Sequence, residues 1–375
     1  MAHPRHAGKM GEDLIRTAII GVGNCASSLV QGISYCRQLG DDAQGVLFPD
    51  LGGYRPQDIE IVMALDIDRR KVGKPLSEAI FQPPNNTMVF HDTPLFAGVT
   101  VATGAVLDGV APAMLECDRD LGFDPVREGE ATREEVIAML RESGAQVAIN
   151  FLPVGSQMAT EFYAGCALEA GVAFVNAIPV LIASNPDWAA RFAAAGLPVL
   201  GDDFKAQVGA TIMHRTLVSL FRNRGAEIDR SYQLNTGGNT DFLNMLDSGR
   251  LTTKRISKTE SVQSVTRNRF RDTDLRVGPS DYVPWLKDRK VAFIRMEGRL
   301  FGGAPVNVEM RLDVEDSPNA AVMAIAAIRC ARIALDQGHA GAIPDVCAFL
   351  FKHPPVQMDD SVALQRIEAY AAGKG

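Results

Sequence analysis

Lys254 and Lys258, in the segment TKRISKT, stand four residues apart, so on a helix they would share one face and could converge on a single anion. Lys290 precedes an alternating stretch, Lys352 sits in the short FLFKHPP segment, and Lys205 follows the paired acids Asp202 and Asp203. Any one of these lysines is also readable as a solvated surface charge, because lysines mostly lie outside. Adjacent acids at a strand end can equally cap a helix, and Ser156 reads either as a cofactor contact or as the cap of the helix after it. His91, His214 and His353 form no three-ligand metal set, and each reads as an ordinary surface or core histidine.

A second kind of chemistry is signalled near the N-terminus, where Gly21-Val-Gly-Asn-Cys-Ala26 fits G-x-G-x-x-G/A. Gly21 permits a tight turn, Gly23 lets the backbone approach a pyrophosphate, and Ala26 allows a helix to pack closely on a strand. The N–H groups of the helix start, at Asn24 and Cys25, would face the anion. A short strand running into the glycine turn over residues 15–23 and a helix over 26–37 give the motif its setting. The next strand, 59–65, ends at Asp66, where a ribose hydroxyl needs an acceptor. The long spacing from Gly21 implies an insertion over 38–57. A carboxylate there would repel a 2′-phosphate and so favours NAD over NADP, with Arg69 and Arg70 as contrary signals; Asp68 reads as a solvated turn acid or a cofactor contact.

These groups must be positioned by larger elements. Helix and strand signals alternate onward: helix 131–143, strand 147–151, helix 156–170, and strands 172–176 and 199–201, the rhythm of a parallel sheet. Beyond Asp203 a helical stretch covers 208–223, a strand lies near 231–235, and a polar region runs over 248–280. Val306, Val308, Met310, Leu312 and Val314 then alternate with polar residues as in a half-buried antiparallel strand, with 290–299 as its partner. A helix over 319–337 stops at Gly338. The expected fold is α/β: a Rossmann-like doubly wound parallel sheet plus an inserted α+β catalytic and oligomerisation domain with an antiparallel-rich sheet. The expected division is 1–203 with 316–375 for the first, and 204–315 for the second.

With 375 residues the chain is long enough for two cores. Six cysteines without C-x-x-C spacing argue against a zinc site or a disulfide framework. A formal charge of −7 disfavours nucleic acid as a partner. No long uninterrupted apolar run and no signal-like opening appear, so the expectation is a cytoplasmic protein without a membrane partner.

Several ordered segments resemble the myo-inositol-1-phosphate synthase family, in its shorter bacterial branch: GVGNCASS at 21–28, FLPVGS at 151–156, GDDFKAQVG at 201–209, LNTGGNTDFLNML at 234–246, TKRISKT at 253–259, GPSDY at 278–282 and DRKVA at 288–292. The resemblance implies an NAD-dependent isomerase that turns glucose 6-phosphate into inositol phosphate by oxidation at C5, enolisation, intramolecular aldol closure and re-reduction. It also implies a homotetramer. Such a reaction needs a cationic pocket for a phosphate dianion and for charge developing on an alkoxide and an enolate. By resemblance Lys254, Lys258, Lys290 and Lys352 match the family's active-site lysines, with Lys290 at the C5 oxygen and Lys254 and Lys352 aiding the proton and aldol steps. Asn239 and Asp241 match positions near nicotinamide and substrate. Ser156, Asp202, Asp203, Lys205 and Lys254 join the glycine turn and Asp66 as cofactor residues. Ala206 departs from the family's serine, which puts a side-chain phosphate contact there in doubt. A cation near the phosphate is compatible with the family, and no ligands are assigned to it. Two other readings stay open: a Rossmann dehydrogenase of the homoserine or semialdehyde type, which would accumulate NADH, and a non-catalytic NAD sensor, which would have no use for four lysines.

Overall fold

The computed structural model describes residues 14–126, 128–245 and 252–374, without the side chains of 252–255, 279 and 280. Seven parallel strands form the larger sheet: β1 (Ile15–Ile20), β2 (Ile59–Asp66), β3 (Val101–Thr103), β4 (Val147–Asn150), β5 (Ala173–Asn176), β6 (Pro198–Leu200) and β11 (Gly341–Ala342). Their order, β11-β6-β5-β4-β1-β2-β3, reverses direction at β1 and β4, the crevice where open α/β sheets bind ligands. β1, β4 and β5 are buried almost throughout, as strands covered on both faces must be.

Helices cover both faces. In chain order they are α1 (Asn24–Leu39), α2 (Leu76–Ala79), α3 (Pro112–Glu116), α4 (Arg133–Ser143), α5 (Gln157–Ala170), α6 (Pro186–Ala194), α7 (Ala210–Asn223), α8 (Thr240–Asn244), α9 (Thr252–Gln263), α10 (Asp316–Asp336), α11 (Pro344–Leu350) and α12 (Asp360–Ala371). α10 is long and apolar enough to cross a membrane, yet it is a core helix packed on α1 and the parallel sheet. It begins three residues before the expected 319, because Pro318 falls in its first turn, where a missing N–H costs nothing. The insertion after α1 is tied down by buried Arg329 of α10, which donates to the carbonyls of Leu47 (2.9 Å), Phe48 (2.6 Å) and Tyr54 (3.3 Å).

The smaller sheet holds β7 (Glu227–Gly237), β8 (Leu275–Tyr282), β9 (Arg289–Arg299) and β10 (Pro305–Glu315) in the order β10-β9-β7-β8. The β10–β9 and β9–β7 pairs are antiparallel and β7–β8 is parallel. One face packs on α7 and α9 through Val218, Phe221, Val262 and Met296. α9 and most of β8 lie in the stretch over 248–280 that the sequence shows as a polar region.

A lysine-lined cleft at the strand ends

A cleft opens where the carboxyl ends of β1, β2 and β4 meet β7, β9 and the start of α10. Its floor is the glycine turn. Gly21 has φ +90°, and a Cβ there would lie 3.1 Å from the Phe151 carbonyl oxygen, so only glycine fits. At Gly23 an added Cβ would meet nothing within 4 Å, which leaves open space above the turn beside the first-turn N–H groups of α1. Ala26 is wholly buried under that turn.

Asp66 ends β2 at the cleft, but its carboxylate accepts three backbone N–H groups, from Val22 (2.6 Å), Ile67 (2.8 Å) and Asp68 (2.8 Å). It thus clamps the glycine turn besides facing any ribose. Asp68 is neither a solvated turn acid nor a cleft residue: it is buried and paired with the Arg70 guanidinium at 2.5 Å. Lys71 was not foreseen. Its ammonium, buried and pushed down in pKa by loss of water, donates to the Val22 carbonyl (2.8 Å) and Asn85 (2.9 Å) at the edge of the cleft.

The lysines arrive from separate elements. Lys290, second residue of β9, is paired with Asp316 at the start of α10. Residues 202–205 and 350–353 run side by side, with Lys352 N donating to the Asp203 carbonyl at 2.6 Å and Lys205 N to Leu350 at 2.9 Å. That pairing sets the Lys352 ammonium 2.7 Å from the Asp203 carboxylate, whose other oxygen accepts from Ser257 of α9 at 2.7 Å. Lys258, one residue on, is 7% exposed and lines the cleft, as does Asp241. The structure therefore brings Lys258, Lys290, Lys352, Asp203 and Asp241 to one cleft with the glycine turn. Lys254 is in the first turn of α9, and its side chain lies outside the described residues.

Three expected cofactor residues point elsewhere. Lys205 is buried behind the cleft, its ammonium held by Asp360 (3.0 Å) and the Ala348 carbonyl (2.7 Å), and burial pushes its pKa down to about 8. Asp202 caps the turn at 182–184, accepting from Ile182 N, Ala183 N, Ser184 N and Ser184 Oγ; burial raises it to about 6. Ser156 turns back to donate to the Pro153 carbonyl at 2.7 Å. A motif fixes which residue is present; the direction of its side chain is decided by packing.

Two further amides serve as scaffold. Asn24 donates to Asn86 (2.8 Å) and Asp288 (3.1 Å), while its oxygen accepts Asn86 N and Thr87 N. Asn239 caps α8 and donates to Asp288 at 2.9 Å. Asp288, buried and also accepting from Ser317 N (3.0 Å) and Ser317 Oγ (2.9 Å), joins α1, α8 and α10 at the rim. Loss of water, with Asp316 nearby, raises it to about 6. Cys25 lines the cleft, yet burial beside these acids pushes its thiol up to about 12, so it is no nucleophile at neutral pH. Among the described residues no group of three His, Cys, Asp or Glu side chains is arranged to hold a metal.

On the β7 side the cleft is lined by Gln233 and Asn235, behind which lies His214 of α7, fully buried and pushed down to about 4 by loss of water. An unfolded chain takes up a proton near pH 6.5 that this folded imidazole refuses until about pH 4. Its contribution to stability is therefore complete above pH 6.5 and is lost as the pH falls toward 4. In urea unfolding, the stability gap between the parent and His214→Phe should narrow between pH 7 and pH 4.5; a constant gap would show that His214 does not titrate this way.

The comparisons agree with this architecture. Residues 209–317, which include β7–β10, match the family model for myo-inositol-1-phosphate synthase. An inositol-3-phosphate synthase of Mycolicibacterium smegmatis is 46% identical over 98% of this chain and 99% of its own length. One from Corynebacterium glutamicum is 45% identical over 96% of this chain and 99% of its own. Among solved structures, a myo-inositol-1-phosphate synthase-related protein from Thermotoga maritima shares the fold with a TM-score of 0.77 at 24% identity, over 96% of this chain and 98% of its own.

Proposed function

The chain belongs to the myo-inositol-1-phosphate synthase family, an isomerase family of inositol biosynthesis, and from that premise we propose that it is NAD-dependent and cyclises glucose 6-phosphate to 1L-myo-inositol 1-phosphate. The observation that carries the proposal is the meeting of Lys258, Lys290 and Lys352 with the Gly21–Gly23 turn in one cleft. A sensor would gain nothing from bringing three ammonium groups to one cleft, whereas a phosphate dianion and a developing oxyanion would be stabilised by them.

The residues present fit a dinucleotide: space above Gly23, helix N–H donors beside it, and Asp66 at the ribose position. Bound NAD+ supplies a hydride acceptor for C5 that is restored at the end, so the conversion has no net redox change. Lys290 holds the C5 oxygen, and Asp316 keeps its ammonium oriented. Lys352, fixed by Asp203, and Lys254 serve the proton and aldol steps, and Lys258 adds positive charge for the substrate's phosphate and the enolate. Asp241 orients substrate or lysine from the opposite rim.

Under the same proposal, residues 1–203 with 316–375 carry the cofactor, and residues 204–315 carry catalysis and assembly into a cytoplasmic homotetramer. Support for assembly comes from the outer face of the smaller sheet, which exposes Tyr232, Leu234 and Phe293.

The cofactor assignment is tested at Gly23. Aspartate is a favoured helix N-cap, and its Cβ would touch nothing here, so Gly23→Asp should fold normally. Its carboxylate would confront a pyrophosphate, and NAD affinity measured by calorimetry should fall roughly 100-fold, about 3 kcal/mol. Unchanged affinity would place the dinucleotide elsewhere.

A further inference from the structure

β7 is inverted relative to an ordinary half-buried strand. Its inward positions are polar, with Ser231, Gln233 and Asn235 at 6%, 1% and 1% exposure, while Tyr232 and Leu234 between them are each 37% exposed. Burying a row of polar groups is costly unless every group is partnered, so the partners reveal what the row is for.

The hydrogen bonds run in one direction. A carbonyl can only accept, so Asn235 Nδ2 donates to Gly278 O at 2.8 Å, which turns Asn235 Oδ1 toward Gln233 Nε2 at 3.1 Å. Gln233 Oε1 is thereby left facing His214 Nδ1 at 3.2 Å, which makes Nδ1–H the donor. With Nδ1–H donating, the neutral ring's Nε2 is an acceptor, and the Ser231 hydroxyl gives its one hydrogen either to Nε2 at 2.8 Å or to the Arg295 carbonyl at 2.7 Å, not to both. Each carboxamide nitrogen carries two hydrogens. One is used in the chain, and the second, on both Gln233 and Asn235, has no partner among the described residues. Both residues line the cleft that holds Lys258 and Lys352.

We propose that Gln233 binds a sugar hydroxyl of the phosphorylated substrate through its spare N–H, and that His214 is a positioning residue that fixes the direction of the amide. The inference rests on the sugar-phosphate reading of the cleft. Asn235 has the same geometry and extends the donor rail toward β8. His214 acts as a neutral hydrogen-bonding ring, in keeping with its burial.

The test is calorimetric titration of the NAD-loaded protein with glucose 6-phosphate and, separately, with inorganic phosphate, alongside a turnover assay. Gln233→Met, similar in shape but without donors, should weaken glucose 6-phosphate roughly tenfold, the loss of one hydrogen bond, with phosphate binding within about twofold of the parent. His214→Phe should show the same selective loss, and His214→Asn, whose amide can stand in for Nδ1–H, should recover most of it. Parent-like binding in Gln233→Met, or parallel weakening of both ligands, would overturn the proposal. So would equal loss in His214→Phe and His214→Asn, which would reduce His214 to packing. A parent protein that binds glucose 6-phosphate without converting it would defeat the synthase reading alone and leave the hydroxyl contact standing.

Discussion

Replacing Lys290 with alanine should lower turnover of glucose 6-phosphate by roughly 10²–10³-fold, the loss that follows removal of one pre-oriented donor from developing oxyanion charge. Lys290 leaves the second position of β9, where its register with Val314 of β10 fixes the backbone, and Asp316 fixes the ammonium from the start of α10. Its removal also leaves Asp316 without this counter-charge, close to the buried carboxylate of Asp288. An anionic substrate would then approach a more negative cleft. The glycine turn is untouched, so NAD affinity should stay within about twofold, and the damage should appear in kcat more than in binding. Lys290→Arg should restore the charge and only part of the rate, because a planar guanidinium does not reproduce the compact ammonium. Steady-state kinetics on the three proteins, with cofactor binding measured in parallel, checks this. A Lys290→Ala enzyme with parent-like kcat would remove Lys290 from the chemistry.

The largest effect on stability is expected at Asp360. Its one carboxylate, at the start of α12, accepts from two buried cations, Lys205 Nζ at 3.0 Å and Arg215 Nε at 2.7 Å. Arg215 also reaches the carbonyls of Ser261 (no longer than a short hydrogen bond at 2.5 Å) and Met358 (2.7 Å), so the cluster joins α7, α9 and the segment before α12. Asp360→Ala would leave two positive charges in a dry site. Stability should fall by about 3–5 kcal/mol, and the thermal midpoint of a chain this long by roughly 4–6 °C. Part of the loss is relieved because Lys205, already pushed down to about 8 by burial, can give up its proton. Differential scanning calorimetry at neutral pH measures it, and an unchanged midpoint would mean that solvent already carries these charges.

The parts of the fold that the sequence revealed are those governed by local rules. The glycine turn, β1, β2 and α1 were readable because a φ +90° glycine, a buried apolar strand and a helix start follow one another without long-range help. β8 was not readable. Gly278 and Pro279 give it the composition of a loop, and its extended state comes from pairing with β7, where Asn235 also holds the Gly278 carbonyl. In the site, residue types were visible and directions were not. Lys352 and Lys205 both follow from matched motifs, yet the same backbone pairing turns one into the cleft and the other behind it. Lys71 carried no signal, since three consecutive basic residues at 69–71 look like a solvated turn until the fold buries one beneath Val22. Gln233 and Asn235 did leave a trace: a strand whose alternation is polar on the inside once the neighbouring helix is placed.

The central claim is a redox-neutral cyclisation, and one reaction tests it most directly. Purified protein is incubated with glucose 6-phosphate and a small, catalytic amount of NAD+, while absorbance follows NADH and phosphorus and proton NMR follow the sugar. The account predicts many equivalents of inositol phosphate per NAD+ with no net NADH. Steady NADH accumulation without inositol phosphate would contradict it and point instead to a dehydrogenase that releases its oxidised product.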